Sequence, residues 1–166
     1  MKIVKLVITG FGPYAVRQEL DFDSGLDGAS MFVISGNTGA GKTTIFDAIA
    51  YALFGEASGT GRDGSSLRSD FADATVQTEV KLRFSLRGND YAVRRSPAYE
   101  RAKQRGTGTT KKDAVAELTL PDGKVRTGAK DVTTEMEQIL GLTADQFRQL
   151  VMIPQGEFRR FLSADA

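Results

Sequence analysis

Gly36-Asn37-Thr38-Gly39-Ala40-Gly41-Lys42-Thr43 is the stretch on which the reading of this chain turns. It fits G-x-x-x-x-G-K-[ST] at every position, the pattern of a loop whose backbone N–H groups turn inward around phosphate oxygens. The glycines let the backbone curl, and the helix expected to start near Lys42 brings the positive end of its dipole to the same place. Lys42 is placed to reach the β- and γ-phosphates as a point charge, and the Thr43 hydroxyl to ligate Mg²⁺. At background residue frequencies such a pattern arises by chance in well under about 1% of chains of this size. The predicted ligand is therefore ATP with Mg²⁺, held by Gly36, Asn37, Thr38, Gly39, Ala40, Gly41, Lys42, Thr43 and Thr44. Asn37 has side-chain donors beside the γ-phosphate position; it is either a sensor of that phosphate or a turn former.

Outward from the loop, residues 31–35 are short and apolar, as buried strands of α/β cores are. Residues 43–54 predict a helix with Ile45, Ile49 and Leu53 toward a core and Gly55 ending it. Upstream, residues 2–9 alternate as a strand, residues 10–13 (Gly-Phe-Gly-Pro) mark a turn, and residues 16–22 suggest a second strand before a turn over 23–30. Downstream, residues 55–73 shift to Gly, Ser, Asp and Arg, a long surface loop that is the expected seat of the adenine through Arg62 or Arg68. Residues 75–86 alternate most cleanly: Val76, Val80, Leu82, Phe84 and Leu86 fall on one face, and Gln77, Glu79, Lys81, Arg83 and Ser85 on the other. A hairpin turn is expected over 87–90, a return strand over 91–96, a strand over 115–120 and a turn at Pro121-Asp122-Gly123. Residues 130–140 predict a helix stopped by Gly141. Thr143 with Gln146 forms a capping box for a last helix through Leu150. The expected fold is α/β: a P-loop core with a mixed sheet and an added antiparallel sheet.

Composition narrows the classes. The chain has 166 residues, 40% hydrophobic and 26% charged, with a formal net charge of +1. That suits one globular domain and leaves any polyanionic partner to a local patch. With neither Cys nor His in the sequence, disulfides, thiol chemistry and most metallo-nuclease designs are out, and a cytoplasmic setting is expected. No apolar run marks a signal peptide or membrane span. Residues 99–113 hold Arg101, Lys103, Arg105, Lys111 and Lys112 against Glu100 and Asp113. They read either as an arm for DNA phosphates or as a solvated loop. Lys81, Arg83 and Arg94 could extend a basic surface.

Near the end, Val151-Met152-Ile153-Pro154-Gln155-Gly156-Glu157-Phe158 is an apolar run broken by Pro, with Gln beside Gly. A Gln amide can ligate Mg²⁺ through its oxygen and orient an attacking water without titrating. Together with Phe11-Gly12-Pro13-Tyr14, Phe46-Asp47-Ala48-Ile49 after the loop, Ala52-Leu53-Phe54-Gly55-Glu56, Leu67-Arg68-Ser69-Asp70-Phe71-Ala72 and Leu140-Gly141-Leu142, this segment resembles the N-terminal ATPase lobe of SbcC-type, SMC-like DNA-repair ATPases, within the ABC-type class. The resemblance covers nearly the whole chain. It implies that Gln155 is the Q-loop residue, with Lys42 and Gln155 in catalytic roles and Thr43 and Gln155 as Mg²⁺ ligands. The implied partners are the C-terminal lobe of the same head, a nuclease of SbcD type, double-stranded DNA, and a second head in an ATP-dependent dimer.

The family also needs a Walker B strand ending in Asp-Glu and a Leu-Ser-Gly-Gly signature. Residues 115–122 come nearest to the former but are broken by Glu117 and Pro121, and the signature is missing. In the family these elements sit on the C-terminal lobe, beyond a coiled coil expected to begin near residues 159–166, so the resemblance implies half of an ATPase head. Two other P-loop classes compete. A small kinase would need several phosphate-facing Arg residues in a lid, where only Arg62 and Arg68 are at hand. A transporter ATPase would stack its adenine on an aromatic such as Phe11 or Tyr14.

Overall fold

The alternation that runs through residues 79–86 becomes a strand with Val80, Leu82 and Phe84 buried on one face and Lys81 and Arg83 exposed on the other. The computed structural model describes residues 1–25, 33–57, 65–102 and 107–150. Its strands are β1 (Lys2–Thr9), β2 (Gln18–Asp21), β3 (Glu79–Leu86), β4 (Asn89–Ser96), β5 (Tyr99–Ala102), β6 (Thr109–Lys112), β7 (Val115–Thr119) and β8 (Val125–Thr127). Its helices are α1 (Lys42–Phe54), α2 (Ala129–Leu140) and α3 (Ala144–Leu150).

Six strands form one sheet in the order β2-β1-β3-β4-β7-β8, every neighbouring pair antiparallel. Register carries the sequence pattern across the sheet. Leu6 lies opposite Leu82, Leu82 opposite Val93, and Val93 opposite Leu118, giving one continuous apolar row. Helix α1 packs on this face against β3 and β4, and α2 packs against β7 and α1. Because α1 lies between sheet and neighbouring helices, it is buried nearly all round from Asp47 to Phe54. Truncating a side chain there, such as Leu53→Ala, falls in the range of about 2–5 kcal/mol typical of core cavities. The opposite face of the sheet is solvated, so the molecule is a two-layer α/β arrangement.

The expected α/β half-domain is present, and among the described residues its sheet is wholly antiparallel. Several expected boundaries differ for physical reasons. The turn of the β3–β4 hairpin is only Arg87-Gly88, with φ 54° and 79°, and Leu86 pairs Asn89 directly. Two left-handed residues make the tight turn that matches strand twist, so residues 89–90 belong to the strand. The second strand shrinks to Gln18–Asp21, the length that pairs with β1. Strand β8 has all three of its residues exposed and carries no alternation that a sequence reading could find. Within residues 99–113, β5 and β6 pair as a separate two-stranded antiparallel sheet, and residues 103–106 lie outside the described residues. Of residues 31–35, expected to be strand, 31 and 32 lie outside the described residues; 33–35 carry no strand structure, and Val33 is 90% exposed. An apolar strand needs hydrogen-bonded neighbours, and both edges of the six-stranded sheet lie elsewhere, at β2 and β8. The capping box at the start of α3 is as expected: Gln146 N donates to Thr143 Oγ1 (3.3 Å) and Thr143 N to Gln146 Oε1 (3.0 Å).

Candidate functional site

The phosphate loop is built by one abrupt transition. Helix α1 begins at Lys42 straight out of Gly41, whose φ is 85°, with no side-chain cap and no acidic residue in its first turn. The first N–H groups of a helix have no partners within it, so this end is arranged for an anion rather than closed by its own side chains. Residues 35–40 and Thr43 are exposed. Ala40 N donates to Asn37 O (3.1 Å), closing a turn within the loop. Lys42 Nζ lies folded across the loop and donates to Gly36 O (2.6 Å) and Asn37 O (2.8 Å). A phosphate oxygen offers this ammonium a charge-assisted bond, stronger than either carbonyl does. The backbone donors of residues 36–44, the Lys42 ammonium and the Thr43 hydroxyl thus fit a polyphosphate with its divalent cation.

The turn at residues 11–14 braces the loop from beneath. Phe11 and Tyr14 exchange backbone hydrogen bonds of 3.0 Å, and Tyr14 Oη donates to Gly41 O (3.0 Å). The approach is close. A Cβ on Gly41 would stand 2.7 Å from Pro13 Cγ and 2.8 Å from Tyr14 Oη, and one on Gly12 would stand 2.6 Å from Thr44 Cγ2. Both glycines also have positive φ, so contact and conformation demand the same residue. Thr44 is accordingly half-buried against Gly12.

A second layer holds the brace. Gly12 N donates to Leu67 O and Ser69 N to Gly10 O, both at 2.9 Å. Arg68, between them, donates Nη1 to Val76 O and Thr78 Oγ1 (2.8 Å each) and Nη2 to Asp73 O (3.0 Å), with its guanidinium 4.6 Å above the Tyr99 ring. These bonds commit Arg68 to the scaffold, although the sequence offers it, with Arg62, as a contact for the adenine. Arg62 lies outside the described residues. Phe11 is fully buried, 5.8 Å from the Tyr51 ring, so it offers no platform for a base. The Tyr14 hydroxyl is committed to the loop backbone.

Gln155, with residues 151–166, lies outside the described residues. The helix before it is docked on the far end of α1: the Phe147 and Phe54 rings are 5.3 Å apart, and Arg148 Nη1 donates to Glu56 Oε2 (3.1 Å) and Ala57 O (3.2 Å). Sequence reasoning missed Arg95. It is 2% exposed and donates to Ala52 O (2.9 Å), Leu53 O (3.1 Å), Ala129 O (3.4 Å) and Thr133 Oγ1 (3.0 Å). Its place on the core face of β4 follows from strand alternation. Its partners, the open carbonyls at the end of α1 together with the Ala129 carbonyl and the Thr133 hydroxyl of α2, could not be seen without the packing.

The proposed basic surface on the solvated face is largely neutralised. Glu79 pairs with Lys81 (2.9 Å) and with Arg94, which also reaches Glu117 (3.1 Å). Burial alone would raise the Glu79 carboxyl, but hydrogen bonds from Lys81 and Arg94 outweigh it and hold it below the usual range. Glu117, the residue that interrupts the Walker B-like stretch, is thereby part of an ion pair on a solvated face. A cleft of about 280 Å³ is lined by Lys2, Val4, Arg83, Phe84, Asp90 and Tyr91 among others. None of these belongs to the phosphate loop, and Lys2 is paired with Asp23 at 2.6 Å. Among the described residues, no three carboxylates gather to hold a metal, and no helix is long and apolar enough to cross a membrane.

Residues 5–166 match the family described as "AAA domain". The chain is also 42% identical, over its whole length, to the SbcC component of the nuclease SbcCD from Vibrio cholerae serotype O1, covering 17% of that protein. Identity is likewise 42% over the whole chain to the protein of the same name from Staphylococcus aureus strain MRSA252, of which 16% is covered. The chain therefore spans about a sixth of the length of these curated relatives.

Proposed function

The chain belongs to the AAA domain family, and from that premise we propose that it is the ATP-binding lobe of an SbcC-type ATPase head, which gates a partner nuclease of SbcD type at DNA double-strand breaks. The observation that carries the reading is the uncapped start of α1 at Gly41-Lys42, with Lys42 folded over an exposed loop of matching sequence. Residues 36–44 would hold the phosphates through backbone N–H groups, Lys42 would neutralise the β- and γ-phosphates, and Thr43 with Gln155 would hold Mg²⁺. The cation, when bound, supplies charge neutralisation at the transferred phosphoryl group. Walker B and signature elements are missing from the sequence, so the catalytic carboxylate and the closing signature come from a C-terminal lobe and a second head. The absence of Cys supports a cytoplasmic setting.

The purified 166-residue chain is expected to bind ATP weakly and to show no Mg²⁺-dependent hydrolysis above background, while the full-length protein hydrolyses ATP. In the full-length protein, Lys42→Ala should lower ATP affinity at least about tenfold, as removal of a charge-assisted contact requires. Hydrolysis by the chain alone, abolished by Lys42→Ala, would overturn the half-site reading; unchanged ATP binding in the Lys42→Ala full-length protein would overturn the site itself.

For DNA, the β5–β6 segment is the better candidate than the solvated sheet face, because Lys81 and Arg94 already hold carboxylates while Lys111 is exposed. Changing Arg101, Lys103, Arg105, Lys111 and Lys112 to Gln together should weaken duplex binding by the full-length protein and reduce the salt slope by about 0.9 per lost phosphate contact. An unchanged affinity and slope would remove this segment from the interface.

A further inference from the structure

We propose that Tyr14 is a positioning residue of the phosphate loop, acting through the Gly41–Lys42 peptide; the inference rests on the ATP-site reading above and names what orients that site. In a trans peptide the carbonyl oxygen of one residue and the N–H of the next point in opposite directions from the same plane, and the described residues contain no cis bond. Tyr14 Oη donates to Gly41 O at 3.0 Å from the brace side. Holding that oxygen fixes the plane, and so aims the Lys42 N–H, the first donor of α1, away from the brace and toward the phosphate side of the loop.

Three further observations make the tyrosine more than a passing contact. Gly41 has φ 85°, and the absence of a side chain lets Pro13 and Tyr14 approach so closely that a Cβ would overlap both. No side chain caps α1, so no bond on the phosphate side competes to set this peptide's orientation. The brace itself is anchored, through the backbone bonds of Gly10 and Gly12 to residues 67–69 and through Arg68, to the main sheet and to Tyr99. Burial raises the Tyr14 phenol above its usual value, so the hydroxyl remains a donor throughout the neutral range. A glycine-rich loop with two glycines at positive φ on either side of Ala40 has many ways to turn its amides. Tyr14 selects one.

The test uses the full-length protein with a fluorescent ATP analogue and its diphosphate counterpart, each with Mg²⁺. Tyr14→Phe keeps the ring and removes only the donor. Loss of one oriented hydrogen bond predicts about a five- to tenfold rise in Kd for both nucleotides, with the unfolding midpoint measured without nucleotide unchanged. Replacing Tyr14 with 4-aminophenylalanine, which restores a donor at the ring's far end, should return affinity to within about twofold of wild type. A purely structural tyrosine would lower the midpoint instead, or would show no rescue by the restored donor; either result overturns the proposal, as does an unchanged Kd in Tyr14→Phe. Lys42→Ala in the same assay separates the two levels. If it binds nucleotide normally, the site reading fails; if it loses binding while Tyr14→Phe does not, only the positioning role fails.

Discussion

Arg94 and Arg95 are neighbours in sequence and stand on opposite faces of β4, one in each of the molecule's two electrostatic regimes. Arg94 is partly exposed and paired with Glu79 and Glu117, and its hydrogen bond to Glu79 is the main cause that raises its pKa. Arg95 is buried without a carboxylate: its partners are three main-chain carbonyls and a hydroxyl. Burial draws its pKa down to about 10, against a smaller opposing influence of Tyr51, so it remains charged at neutral pH. What offsets the buried charge is the negative end of α1, where the last carbonyls have no partners within the helix. The contrast teaches that charge on the solvated face is settled side chain to side chain, while charge in the core is settled by the backbone it holds in place. Arg95 joins the end of the phosphate-loop helix to α2; Arg94 joins only its neighbours on the sheet.

The largest break in this comparison should come from Arg95→Met. It leaves the carbonyls of Ala52 and Leu53 short of donors in the core, and the expected loss is about 3 kcal/mol or more, read from the denaturant midpoint. Arg94→Ala should cost under about 1 kcal/mol, because exposed and half-exposed pairs gain little over water. The cost should shrink further at high ionic strength, and equal losses for the two variants would erase the distinction.

The smallest effect is an acid one. Glu79 has its folded pKa held below the usual carboxylate value, and so does Glu19, chiefly through its hydrogen bonds from Lys5 and Arg17. A carboxylate depressed in the folded state contributes stability that is fully present above its unfolded pKa, about 4.3 for Glu. That stability is lost as pH falls through the lower, folded value. Stability should therefore hold from neutrality down to about pH 4–5 and fall below it. Glu79→Gln should flatten that fall, which a denaturation series against pH reads directly.

Legibility in the sequence followed the range of the interactions involved. The phosphate loop, α1 with its Gly55 stop, the capping box of Thr143 and Gln146, and the faces of β3 were all readable, because each depends on residues within a few positions of one another. The pairing of β5 with β6 was not. Its strands are short, polar and basic, and what marks them is the pairing of Tyr99 with Lys112 and the burial of Tyr99 beneath Arg68. Arg68 itself looked available for a ligand because a long polar loop carries no local sign of its partners, which come from residues 73–78 and 99.

By itself, then, the amino-acid order determined the proposed phosphate cradle: glycine spacing, Lys42 and Thr43 are local chemistry, and a helix N-terminus follows from them. Tertiary structure alone decided what supports and orients the cradle. Tyr14 and Gly41 are 27 positions apart, Arg95 and the carbonyl of Ala52 are 43 apart, and no periodicity links such pairs. They meet because the antiparallel register lays β1, β3 and β4 side by side under α1. Only that packing shows which backbone groups lack partners and which side chains supply them.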